Sequence, residues 1–288
     1  MAAGASVREA LEAAVDALAA AGVEDPRLDA ELLLAEATGR SRAALVAEPG
    51  AEVPPAAGRH FGEMVRRRLR REPVAYILGR KGFRRLELAV DPRVLVPRPE
   101  TELLVELALQ QRPARVLDVG TGSGAIALAV ADELPDAEVT ATDTSPAALA
   151  VARGNAERLG LAERVRFVEG TLPDGGDSFD LILANLPYVA ELDWPSLQPE
   201  VTQYEPREAL LAGPDGLDAY RALIPACSLL LSRYAERGKG AFGVEVGEGQ
   251  ASAVAELMRD AGLGEMETRC DLAGIERVVI GRSVKSEA

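Results

Sequence analysis

The chain of 288 residues carries a formal net charge of −14, and 48% of it is hydrophobic. That length accommodates one large domain or two unequal ones, each with a core of its own. No apolar run comes near the roughly 18 residues of a membrane span, and the acidic balance excludes a protein that coats nucleic acid broadly.

Ser6 to Ala21 is alanine-rich, with Val7, Leu11, Val15 and Leu18 at helical spacing and Gly22 to close it. Pro26 to Thr38 repeats the pattern through Leu28, Leu32, Leu33 and Leu34, and a third helix is expected from about Ala56 to Arg71. Strand-like alternation is absent here, so residues 1–73 are expected to form a small all-helical domain. From Arg59 to Arg98 twelve Lys/Arg stand against four Asp/Glu, leaving that stretch at +8 and the remainder at −22. It reads either as a docking surface for an anionic partner or as a solvated arginine-rich face. Residues 74–100 change character and are expected to be a β-hairpin linker, with arms at Phe83–Val90 and Val94–Val96 and the turn at Asp91-Pro92. Pro97 and Pro99 flank Arg98 and stiffen it.

From Arg115 the pattern alternates strand and helix. Strands are expected at Arg115–Asp118, Glu138–Thr142, Val165–Glu169, Asp180–Ala184, Gly240–Val246, near Met266–Asp271 and near Arg277–Gly281. Helices are expected at about Glu100–Gln111, Ala125–Glu133, Ser145–Leu159, Leu217–Tyr234 and Gly249–Ala261. Residues 101–286 are therefore expected to be an α/β domain, a Rossmann-like doubly wound sheet of seven strands. Its last two strands lack a helix between them and should pair antiparallel.

Such a sheet binds ligands beyond the carboxyl ends of its strands. Gly120-Thr121-Gly122-Ser123-Gly124 follows the first strand, and its glycines let the backbone approach a ligand at a helix N-terminus. Asp143, 19 residues past Gly124, ends the second strand, where an acidic side chain can take both hydroxyls of a ribose. Neither feature separates a dinucleotide from S-adenosylmethionine. The fourth strand runs into Asn185-Leu186-Pro187-Tyr188. There the Asn185 amide oxygen and the Leu186 carbonyl can accept from a planar NH2 group. Pro187 holds Leu186 extended, and Tyr188 offers a flat face. A strand ending in a Pro-containing turn with a packed Tyr explains the same four residues structurally. An amino-group methyltransferase needs such a turn and a hydride-transfer enzyme does not. Cys227 and Cys270 are the two cysteines and His60 the one histidine, an inventory that fits neither a disulfide framework, a histidine-ligated metal nor a Ser-His-Asp machine.

The motifs D-V-G-T-G-S-G-A-I-A-L-A (Asp118 to Ala129), P-V-A-Y-I-L-G (Pro73 to Gly79), V-P-R-P-E-T-E (Val96 to Glu102), A-N-L-P-Y (Ala184 to Tyr188), Y-E-P-R-E-A-L (Tyr204 to Leu210) and G-I-E-R-V-V (Gly274 to Val279) together resemble the release factor glutamine methyltransferases. The resemblance covers nearly the whole chain. It implies a class I methyltransferase fold and a cytoplasmic enzyme of translation termination. That enzyme would methylate the glutamine amide N5 in the GGQ loop of class I peptide chain release factors. S-adenosyl-L-methionine would be the donor and S-adenosyl-L-homocysteine the product. No metal, membrane or direct nucleic-acid substrate is implied. The family's usual tetrapeptide is N-P-P-Y, whereas Leu186 stands second here. N-L-P-Y also resembles the turn of ribosomal-RNA adenine dimethylases, so a base N-methyltransferase (adenine N6) is the alternative.

By position, the resemblance implies that Gly120, Thr121, Gly122, Ser123 and Gly124 line the cofactor, Asp143 binds its ribose and Thr171 contacts its adenine. Asn185 would hold the glutamine NH2 beside the cofactor's methyl group, aided by Leu186 and Pro187, with Tyr188 against the amide plane. Arg98 and Glu100 would close the site, and residues 1–73 would dock the protein substrate.

Overall fold

The computed structural model describes residues 5–173, 177–232 and 240–283. The chain packs into two units, Met1–Arg80 with Gln198–Tyr204 and Lys81–Leu197 with Glu205–Ala288.

The first unit is built from α1 (Val7–Ala20), α2 (Pro26–Thr38), α3 (Arg42–Ala47), α4 (Pro55–Leu69) and α5 (Val74–Leu78). A capping box starts α1: Ser6 Oγ accepts from Glu9 N, and the Glu9 carboxylate accepts from Ser6 N at 2.8 Å. The apolar stripes of these helices meet in a core of Val7, Leu11, Leu18, Leu33, Leu34, Leu45, Phe61 and Met64. Four charged side chains of the unit's described residues are buried, Glu31, which pairs with Arg27 and Arg42, and a cluster of Asp29, Arg68 and Glu200. Arg68 Nε donates to Asp29 at 2.7 Å and its Nη1 lies 2.6 Å from Glu200. Arg71 closes the cluster, donating to both Glu200 oxygens at 2.7 and 2.6 Å. Breaking such a buried pair costs about 3–5 kcal/mol, because one charge is then left uncompensated.

These contacts also decide what the basic stretch is. Arg67 pairs with Glu72, Arg80 with Glu36, Arg84 with Glu133, Arg93 with Asp91 and Arg98 with Glu205. Much of the +8 is thus neutralised by internal partners, while Arg59, Arg66 and Arg70 are exposed.

Next, β1 (Arg80–Phe83), which lies in the second unit from Lys81 on, and β2 (Leu86–Ala89) form a two-stranded hairpin. It turns at Arg84-Arg85, with Arg84 at a φ of 53°, and not at Asp91-Pro92 as expected. Asp91 instead accepts from Val94 N at 3.1 Å in a turn of its own. Residues 94–96 form no strand, since Val96 N donates to the Glu205 carboxylate at 3.0 Å rather than to a ladder. A 3-10 turn at Pro99–Thr101 then leads into α6 (Glu102–Gln111).

The sheet follows as β3 (Arg115–Val119), α7 (Ala125–Glu133), β4 (Glu138–Asp143), α8 (Pro146–Arg158), β5 (Val165–Glu169) and β6 (Leu181–Ala184). Next come α9 (Pro199–Tyr204), part of the first unit, and α10 (Asp218–Ser232). The expected end of α10 at Tyr234 lies outside the described residues. Finally come β7 (Ala241–Glu245), α11 (Ala251–Asp260), β8 (Leu263–Cys270) and β9 (Glu276–Ser283). The strand order is β5-β4-β3-β6-β7-β9-β8. The first five run parallel, and β9 pairs antiparallel with both β7 and β8. Residues alternate between two buried faces. Val116, Leu181 and Leu183 pack with Leu104, Leu107 and Leu128. Leu117 and Ile182 pack with Tyr220, Phe242 and Val254 on the other. Strand order reverses between β3 and β6, so their carboxyl ends diverge and leave a crevice there.

Candidate active site

A cavity of about 540 Å³ opens at that reversal, a size typical of small-molecule sites. Its walls include Gly120 to Ser123 after β3, Asp143 to Ser145 after β4, Gly170 and Thr171 after β5, and Asn185 to Pro187 after β6. The glycine loop is tied to the end of β4: Gly120 N and Thr121 N both donate to Thr142 O at 2.9 Å. Asp143 fixes the same loop from its side chain. Its Oδ2 accepts from Gly122 N and its Oδ1 from Ser145 N, each at 2.9 Å. Each oxygen keeps a second lone pair for a ligand. Gly122 has a φ of +56°, and a Cβ there would meet no protein atom within 4 Å. A ligand can approach the backbone closely there, without a side chain in the way.

Beneath the loop lies Asp118, fully buried. One of its oxygens accepts from Thr121 Oγ1 at 2.6 Å and Ala127 N at 3.1 Å, while Oδ1 has no partner. Burial pushes this carboxyl up to about 7, with Asp143 nearby adding to the effect. A glycine cradle and a two-oxygen acceptor fit the ribose of S-adenosylmethionine.

At the other wall, Asn185 Nδ2 donates to Thr101 Oγ1 at 3.0 Å, and Thr101 Oγ1 donates to Glu245 Oε2 at 2.6 Å. Leu186 is buried to 8% exposure and belongs to the core cluster beside β7 and α10, so its side chain packs into the core as well as lining the cavity. Behind the turn, Gln250 Nε2 donates to Tyr188 O at 2.9 Å, and a Cβ on Gly216 would stand 2.3 Å from that oxygen. The last residue of the tetrapeptide is thus held at its carbonyl.

The structure thus brings Gly120, Thr121, Gly122, Ser123, Asp143, Thr171, Asn185, Leu186 and Pro187 to one cavity. Four other expected residues, Gly124, Arg98, Glu100 and Tyr188, stand off its walls. Gly124 packs inward, where a Cβ would lie 2.8 Å from Leu128 Cδ1. Arg98 is ion-paired to the buried Glu205. Tyr188 packs against the second core cluster, and burial raises its hydroxyl to about 12, with the negative Glu245 nearby adding to the effect. Sequence reasoning missed Thr101, Glu245, Gln250 and Asn155. The buried Asn155 amide donates to Ser123 O at 2.9 Å and Ala89 O at 3.0 Å, stapling the glycine loop to the hairpin. Glu245 alone left a signal, a carboxylate closing an otherwise apolar strand.

Among the described residues there is no cluster of His, Cys, Asp or Glu suited to a metal, and no helix is long and apolar enough to cross a membrane. Residues 9–79 match the family described as PrmC N-terminal domain, and residues 99–201 match the Methyltransferase small domain. The release factor glutamine methyltransferase of Caulobacter vibrioides is 43% identical over 279 residues, covering 95% of both chains. That of Geobacter sulfurreducens is 44% identical over 281 residues, 96% of each chain. That of Bordetella pertussis is 48% identical over 262 residues, 88% of this chain and 93% of the relative. Among solved structures, the hMettl16 catalytic domain in complex with MAT2A 3'UTR hairpin 6 aligns with a TM-score of 0.52 at 14% identity, over 69% of this chain and 76% of that one. A methyltransferase from Pyrococcus furiosus aligns at 0.50 and 17%, over 69% and 90%. Both share the fold.

Proposed function

Because the chain belongs to the release factor glutamine methyltransferase family, we propose that its cavity holds S-adenosyl-L-methionine and that Asn185 and Leu186 present a release factor's glutamine to it. The enzyme is a methyltransferase whose acceptor is a release factor glutamine. The finer reading is transfer to the amide N5 of the GGQ loop of class I factors, in the cytoplasm. Residues 101–286 carry out the transfer, residues 1–73 dock the factor and residues 74–100 link them. What carries the reading is the placement of Asn185 and Leu186 on the wall that the glycine loop and Asp143 also line.

Gly120, Thr121, Gly122, Ser123 and Asp143 would hold the cofactor, with Thr171 toward its adenine. When bound, it supplies a methyl group on a positively charged sulfur, which leaves with the electron pair of its C–S bond as S-adenosylhomocysteine. An amide nitrogen is a poor nucleophile because its lone pair is delocalised. The Asn185 oxygen and the Leu186 carbonyl each accept one of its two N–H bonds, making the nitrogen more electron-rich and fixing its direction. Holding reactants in this way contributes up to about 7–11 kcal/mol to barrier lowering. Dipoles placed beforehand in a site closed to water add to it. Once the N–C bond has formed, the nitrogen gives up one of its hydrogens as a proton, which passes to solvent as the product departs.

Incubation with radiolabelled S-adenosylmethionine, purified release factors and ribosomal RNA, side by side, tests this reading. Label is expected on the GGQ peptide of a release factor and to be abolished by Asn185→Ala. Label on RNA instead would turn the assignment toward base methylation.

A further inference from the structure

Three polar groups stand in line from the core to the cavity. Glu245 is the last residue of β7 and only 2% exposed, and Thr101, in the 3-10 turn before α6, is 4% exposed. Asn185 directly follows β6, and Ala184 pairs with Val244 across β6 and β7, so Asn185 and Glu245 are successors in register. Thr101 bridges them with the two hydrogen bonds given above, 3.0 Å to Asn185 and 2.6 Å to Glu245.

The polarity of this line is determined from its inner end. When Glu245 is ionised its carboxylate only accepts, so the single hydroxyl hydrogen of Thr101 then points to Glu245. The Thr101 oxygen then has only lone pairs left for Asn185. Of the two ends of the Asn185 carboxamide, only the NH2 can meet a lone pair, so its oxygen turns the other way, toward the cavity. The two ends of a carboxamide are nearly equal in size and shape, and packing alone selects poorly between them. We propose that Thr101 and Glu245 are positioning residues that orient the Asn185 carboxamide, so that its oxygen and not its NH2 faces the acceptor amide. The proposal rests on the reading of Asn185 as the group that receives the glutamine.

The reverse polarity shows what is at stake. A neutral Glu245 could donate to Thr101, which would then donate to the Asn185 oxygen and turn the amide over. Asn185 would offer NH2 to the glutamine NH2, two donors facing one another with no lone pair between them. Substrate would be met by a side chain of the right size and the wrong sign. Packing offers Glu245 no comparable reason to be there. An apolar residue of similar volume closing β7 would avoid the cost of burying a carboxyl group.

The test compares Thr101→Val, Thr101→Ser, Glu245→Gln, Asn185→Ala and the Thr101→Val/Asn185→Ala double variant. It measures kcat and KM for a release factor at saturating S-adenosylmethionine, cofactor Kd by calorimetry, and the thermal midpoint. Thr101→Val should lower kcat by about 30-fold, as misorientation of a reacting group does, with cofactor Kd within about threefold of the parent. Thr101→Ser, which keeps the hydroxyl, should return kcat to within about threefold. In the Asn185→Ala background, Thr101→Val should cost less than about threefold, since coupled residues are not additive. Glu245→Gln, nearly the same shape but able to donate, should lose about tenfold in kcat and covers the case of a Thr101→Val that does not fold. A parental kcat in Thr101→Val or in Glu245→Gln would overturn the proposal. So would a Thr101→Val loss of the same size with and without Asn185, which would leave the reading of Asn185 standing. Asn185→Ala at the parental kcat would instead overturn that underlying reading.

Discussion

Single residues in this site act through hydrogen-bond sign and through charge. Asp143 holds Gly122 N and Ser145 N and has lone pairs to spare. Asp143→Ala should therefore weaken S-adenosylmethionine binding by about 1–3 kcal/mol, seen as a higher Kd by calorimetry at an unchanged fold by circular dichroism. An unchanged Kd would remove Asp143 from the site. Glu245 makes a prediction about pH. Burial raises its carboxyl from 4.5 to about 7, with Glu100 adding to the effect and Thr101, Arg277 and Arg98 opposing it. The folded state thus holds this proton more tightly than the unfolded chain does. Its stabilising contribution is complete below about pH 4.5 and is lost as pH rises through 7, about 3 kcal/mol at most. Asp118 has the same sign. Glu31, Asp91 and Glu133, held low by arginines, have the opposite one and contribute stability above their unfolded values. Glu245→Gln cannot ionise, so its thermal midpoint should gain on the parent between pH 5 and pH 7.5 while its kcat falls. A midpoint difference independent of pH would contradict this.

Elements were legible in proportion to their length and to how local their signals are. The strand–helix alternation from Arg115 onward was read with most ends within two residues, because buried parallel strands are apolar runs and each helix has its own start and stop. The glycine loop, Asp143 and Asn185 were legible for the same reason, each standing at the carboxyl end of a strand. Short elements were not: α3, α5 and α9 span six, five and six residues, too few for a period to show. The hairpin was misplaced because Asp91-Pro92 carries a strong turn signature, while Arg84-Arg85 turns with Arg84 at a φ of 53° and no glycine or asparagine to announce it. Thr101 and Glu245 lie 144 residues apart, so their pairing leaves no local trace. The loop behind the tetrapeptide shows what such distant packing demands. Gly216, with a φ of +75°, leaves no space for a Cβ against Tyr188 O. Gly216→Ala should cost about 2–4 kcal/mol through backbone strain and displacement of the turn, and kcat should fall with it. Denaturant titration and the methylation assay measure the two, and parental values in both would free the turn from this constraint.

Across the whole molecule, charge is organised into partners more than into a surface. The basic stretch invited a docking role, yet Arg68 and Arg71 are anchored within the first unit by Asp29 and Glu200. Arg68→Glu would gather three carboxylates in one buried place and should destabilise by about 3–5 kcal/mol or more. Arg66→Glu and Arg70→Glu, at exposed positions, should change stability by less than about 0.5 kcal/mol. Only these surface reversals can report docking, as a raised KM for the release factor at an unchanged cofactor Kd. If KM also stays at the parental value, the exposed arginines are solvated and no more.

The Arg71–Glu200 pair has a consequence in time. Its members are 129 residues apart in the chain. At about 5–20 residues per second of synthesis, the first unit emerges and waits roughly 6–26 seconds before α9 exists to complete it. During that interval Arg68 has Asp29 but not Glu200, and Arg71, at a φ of 67°, has not yet met its carboxylate. The helical unit is first to be made but stays unfinished until α9 follows, so its nascent form is the stage at which a ribosome-associated chaperone or a protease would find it most accessible.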